Sequence, residues 1–107
     1  MFTRAEKDLV GKYMGCGILR PGNQGVVDQR LDLLTATYPT KESQIRDYMA
    51  DIARFDTYIK KKRELGEFGE IRRYQAEGTD LIRQIGNTLD LAPYKNYYPA
   101  SQGSYGR

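Results

Sequence analysis

Apolar and polar positions alternate most regularly between Thr40 and Leu89. In the first half the apolar row runs Ile45, Tyr48, Ile52, Phe55 and Ile59, with Met49 beside it. Alternating steps of three and four put these side chains on one face of an amphipathic helix. The row resumes at Phe68 as Ile71, Gln75, Gly78, Ile82, Ile85 and Leu89, flanked by Tyr74 and Leu81. Between the two halves, Lys60, Lys61, Lys62 and Arg63 place positive charge where a helix collects its free carbonyls, and Gly66 supplies a left-handed cap. So short a connection makes the two helices antiparallel neighbours.

Local chemistry sharpens this reading. Pro39 disfavours helix at Tyr38, so Thr40 is expected to cap the first helix through its hydroxyl, and Glu42 suits the helix dipole. Glu42–Arg46, Asp56–Lys60, Glu70–Arg73, Arg73–Glu77 and Asp80–Arg83 fall at helical spacing on the wet faces, each pair worth roughly 0.2–0.5 kcal/mol. The second helix is the weaker, because Gly69, Gly78 and Gly86 each cost about 1 kcal/mol relative to alanine. Gly78 nevertheless lies on the buried stripe, roughly opposite Ile52, and leaves a notch that the ring of Phe55 or Tyr48 is expected to fill.

Ahead of this stretch, Thr3-Arg4-Ala5-Glu6 fits a capping box. It predicts a short helix with Leu9, Val10, Tyr13 and Met14 inward, weakened by Gly11 and ending near Gly15. Residues 15–25 hold four glycines and a proline and read as a loop. Asn23 is then expected to cap a helix through Val26, Val27, Leu31, Leu33 and Leu34, broken before Pro39. After Leu89 the composition changes. Asp90 to Arg107 contains two prolines, two glycines, two serines and four tyrosines, with few aliphatic residues, which predicts an extended arm.

The expected fold is all-α: two short N-terminal helices, a long antiparallel helical hairpin (40–89) and an extended C-terminal arm. The chain divides into a helical domain, 1–89, and a tyrosine-rich arm, 90–107. At 107 residues only one small core fits. Mean hydropathy is −0.70, and no run approaches the ~18 apolar residues of a membrane span. The first residues lack the apolar core of a secretory signal, and a single cysteine forms no internal disulfide. Both suit a cytoplasmic protein, or one within a particle assembled in the cytoplasm.

Charge is concentrated. Between Lys60 and Arg73 six basic residues (Lys60, Lys61, Lys62, Arg63, Arg72, Arg73) face three glutamates, a surplus equal to the +3 of the whole chain. The remaining residues therefore balance, and the excess lies at the hairpin tip.

The chain contains no histidine, which removes His-based acid–base catalysis, Ser-His-Asp and Cys-His nucleophiles and imidazole metal sites. One cysteine is too few for a structural zinc cluster. Cys16 reads as a small loop residue, with no cationic neighbour secured to lower its pKa. The glycine spacing of residues 17–24 echoes a phosphate loop but lacks the lysine, the hydroxyl residue and the preceding strand. Asp47, Asp51 and Asp56 spread over a helix surface and read as solvated. No catalytic, cofactor or metal residue is assigned, and the chain is read as a non-enzyme.

The leading expectation is a structural or assembly subunit, an adaptor that docks onto other protein subunits in a multi-chain complex. The hairpin serves as spacer and the basic tip meets an acidic protein surface. Tyr94, Tyr97, Tyr98 and Tyr105 of the arm latch a neighbour, since tyrosine offers a large rigid contact and a hydroxyl that stays wet. A tail packed back on its own helices is the competing destination for these rings. The second reading, from another class, is a small nucleic-acid-binding or regulatory protein using Lys60–Arg63, Arg72 and Arg73. Virion connectors and other scaffold adaptors share this general plan, an analogy of architecture only.

Overall fold

In the computed structural model, residues 1–16, 21–94 and 97–98 are described. Among them the secondary structure is four helices and no strand: α1 (Arg4–Tyr13), α2 (Pro21–Thr37), α3 (Lys41–Leu65) and α4 (Phe68–Leu89). Helix α1 starts with the expected capping box. Thr3 Oγ1 accepts from the Glu6 N–H at 3.1 Å, and the Glu6 carboxylate accepts from the Thr3 N–H at 2.9 Å. Val10, Tyr13 and Met14 are buried on its inner side.

Two starts differ from expectation. Helix α2 begins at Pro21, so residues 21–25 are helical rather than loop, and Asn23 lies in the first turn rather than capping it. Proline at a first helical position forfeits no hydrogen bond, because that N–H has no partner within the helix. Gln24 anchors the turn: its amide donates to the Lys7 carbonyl at 3.0 Å and to Asp28 at 2.9 Å, with its side chain lying directly against Gly11. At the start of α3, Thr40 has helical dihedrals and makes no side-chain cap. The preceding turn does the work instead, the N–H groups of Lys41 and Glu42 donating to the carbonyls of Tyr38 and Pro39.

Helices α3 and α4 are separated by Gly66 and Glu67 alone and make the most extensive helix–helix contact in the molecule. Gly66 caps α3 with φ +75°, a conformation that favours glycine. Ile45, Met49, Ile52 and Ile59 are buried from α3, and the whole expected row Ile71, Gln75, Gly78, Ile82, Ile85 and Leu89 from α4. Tyr74 links the two helices nearer the turn, its ring 5.8 Å from Phe55 and 5.4 Å from Tyr58. Helices α1 and α2 pack on the opposite end of this pair, adding Val10, Met14, Val27 and Leu31, each with no measurable exposure, to one continuous core. No helix of the described residues is long and apolar enough to cross a membrane.

Polar residues tie the N-terminal helices to α3. Arg46 donates to Glu6 at 2.7 Å and to Glu42 at 3.2 Å and lies over the Phe2 ring. Glu42, buried at the edge of the core, also accepts from the Thr35 hydroxyl and the Met1 amino group.

Candidate functional site

The tail turns back at Asp90, which adopts a left-handed φ of 55° while its N–H and that of Leu91 satisfy the carbonyls of Asn87 and Gly86. The Tyr94 N–H then donates to the Met14 carbonyl at 2.8 Å, fixing the chain beside the end of α1. From there Tyr97 and Tyr98 reach α3. The Tyr97 hydroxyl donates to Asp56 Oδ2 at 2.7 Å, and the Tyr98 hydroxyl to Oδ1 at 2.8 Å. Tyr97 stands edge-on to Tyr13 and to Tyr98, with ring centroids 4.9 Å apart in both pairs.

This bears on three expectations. Tyr97 and Tyr98 pack on the chain's own helices, the destination that competes with latching a neighbour: Tyr98 is 9% exposed and in the core, and the partly buried Tyr97 ring packs against it. The ring at Gly78 is that of Tyr98, not Phe55 or Tyr48. Asp56 is not a solvated partner of Lys60, since each of its oxygens accepts a phenol. The cause is common to all three. Gly78 lets a ring approach the α4 backbone, and a carboxylate beside that ring satisfies hydroxyls that burial would otherwise leave without partners. Burial first, and then the Asp56 carboxylate, raise the phenol pKa values of Tyr97 and Tyr98 and push that of Tyr13 up to about 12.

The remaining expected site residues lie elsewhere. Tyr94 is 40% exposed, and Tyr105 lies outside the described residues. At the α3–α4 turn, Lys62 pairs with Glu67 at 3.0 Å and Arg73 with Glu70 at 3.3 Å. Lys60, Lys61, Arg63 and Arg72 make no ion pair among the described residues. Tyr58, Leu65 and Phe68 are exposed beside them, Leu65 at 59% and Phe68 at 62%. The exposure of Leu65 follows from the turn itself, which leaves it no helix to pack on.

Cys16 is half-buried, and its thiol pKa is raised by burial and by the nearby charge of Asp28, the reverse of an activated nucleophile. Among the described residues no group of three or more Cys, Asp or Glu side chains is placed to hold a metal ion. Asp56, Ile59, Lys60, Arg63, Gln75, Tyr97 and Tyr98 line a cleft of about 390 Å³ between α3, α4 and the returning tail. No protein-family model, curated protein or solved structure matches the chain.

Proposed function

We propose that the protein is a non-enzymatic assembly subunit that docks through the α3–α4 turn onto an acidic surface of another protein in a cytoplasmically assembled complex. In this reading α3 and α4 form a long antiparallel hairpin, roughly 37 Å from 25 residues at 1.5 Å each, that carries the turn away from the N-terminal helices. The observation that carries the reading is the pairing of exposed apolar side chains, Leu65 and Phe68, with four cations that have no ion-pair partner among the described residues. An apolar anchor ringed by charge is the anatomy of a protein interface. Nucleic acid is the less favoured occupant, because Glu64, Glu67 and Glu70 interleave the cations and would face phosphates. Tyr94, 40% exposed, extends the contact, whereas Tyr97 and Tyr98 serve to hold the tail in place.

The test is a photo-crosslinking residue at Phe68, with a second at Arg54 on the outer face of α3 as control, in the cells from which the chain derives. The reading expects a discrete adduct at Phe68 that protease removes and nuclease does not, and that Lys61→Glu with Arg72→Glu abolishes. A nuclease-sensitive adduct, or equal labelling from both positions, would contradict it.

A further inference from the structure

The open cleft beside the tail contains a polar group with no partner among the described residues. Gln75 is 8% exposed and lines the cleft. Its backbone carbonyl accepts from the Thr79 hydroxyl, but its carboxamide makes no hydrogen bond among the described residues. A buried amide left this way forfeits the hydrogen bonds it would make in water, and such groups are rare enough to call for an occupant. On the facing helix Lys60 and Arg63 lie one turn apart at the mouth of the same cleft, neither in an ion pair among the described residues. Asp56, the acidic group here, has both oxygens engaged by Tyr97 and Tyr98.

We propose that this cleft binds a small organic monocarboxylate, its carboxylate held by Arg63, Lys60 and the Gln75 amide and its apolar body against Ile59 and Tyr97. Charge balance selects a monoanion. Two cations and Asp56 leave a surplus of one positive charge, which a single carboxylate neutralises and a phosphate dianion overshoots. A guanidinium fork matches a carboxylate in two parallel hydrogen bonds, and about 390 Å³ lies within the ~300–1,000 Å³ of small-ligand clefts. Because Tyr97 and Tyr98 form one wall, occupancy also secures the tail. The site shares Lys60 and Arg63 with the docking reading, but Gln75 and the wall of Tyr97 and Tyr98 are its own, and the docking tests change only Lys61, Phe68 and Arg72, so either proposal can fail alone.

The test is a titration of the full chain with sodium benzoate at constant ionic strength, read from the Gln75 side-chain amide resonances by NMR. The proposal expects a saturable shift, at least tenfold weaker binding in Lys60→Gln and in Arg63→Gln, and at least tenfold weaker binding of benzamide, the neutral analogue. Gln75→Leu, checked for unchanged helical circular dichroism, is expected to lose binding, read from the Tyr97 resonances. A shift linear in benzoate, binding of benzamide equal to that of benzoate, or full affinity in Lys60→Gln would overturn it.

Discussion

The ring of Tyr98 occupies the space that a side chain at Gly78 would fill, its hydroxyl and ring edge lying against the glycine Cα. A glycine that weakens α4 by about 1 kcal/mol as a helix residue is thereby the seat of the returning tail. Gly78→Ala sets the two effects against each other. Alanine favours the helix, but its methyl group displaces the ring, and the tail moves more easily than the helix backbone. The expected outcome is thermal stability within about 1 kcal/mol of the parent together with a released tail. Chymotrypsin then cuts after Tyr97 at least tenfold faster than in the parent. Unchanged cleavage would mean that the notch does not seat the ring.

Asp56 joins the two phenols to α3, and its contribution is separable from that of the rings. Hydrogen bonds to a charged acceptor are worth about 1.5–3 kcal/mol, and two share this carboxylate. A cycle of Asp56→Ala, Tyr98→Phe and the double variant, followed by urea unfolding, is expected to give a coupling of about 1–2 kcal/mol. Tyr98→Phe alone should cost more than the same change at Tyr94, whose ring is exposed. Additive losses would place Asp56 outside the clasp.

Most of the α3–α4 pair is legible in the sequence, because helical periodicity and a turn glycine are local signals. Ile45, Ile52 and Ile59, and the row from Ile71 to Leu89, declare their buried face by spacing alone. The partners of the tail do not. Asp56 and Tyr98 are 42 residues apart, and nothing near either residue records the other. The one available hint was Gly78, a gap on a buried stripe that some ring had to fill; choosing among twelve aromatic residues required the path of the tail. The N-terminus of α2 was misplaced because glycines at 22 and 25 read as loop, while Pro21 and the Gln24 anchor across to α1 favour helix.

Glu6 gives the fold an acid sensitivity of known sign. A hydrogen bond from Arg46, then one from the Thr3 N–H, hold its carboxyl at about 2, below the ordinary 4.5. A pKa lower in the folded than in the unfolded chain stabilises the fold fully above about pH 4.5, and that contribution is lost as pH falls towards 2. Both partners are partly exposed, so screening keeps the effect small, on the order of 1 kcal/mol. Urea midpoints of the parent and Glu6→Gln are expected to differ at pH 7 and to converge as pH falls from 4.5 towards 2. A gap constant with pH would assign the loss to packing.

The docking reading stands or falls most directly on the size at which the chain elutes from a native extract. The parent is expected in a high-mass fraction, and a variant carrying Lys61→Glu, Phe68→Ser and Arg72→Glu at the 12.3 kDa of the free chain. These positions are exposed, so the variant should keep its stability within about 0.5 kcal/mol per substitution. A parent that elutes alone, or a folded triple variant that stays in the large fraction, would contradict the account.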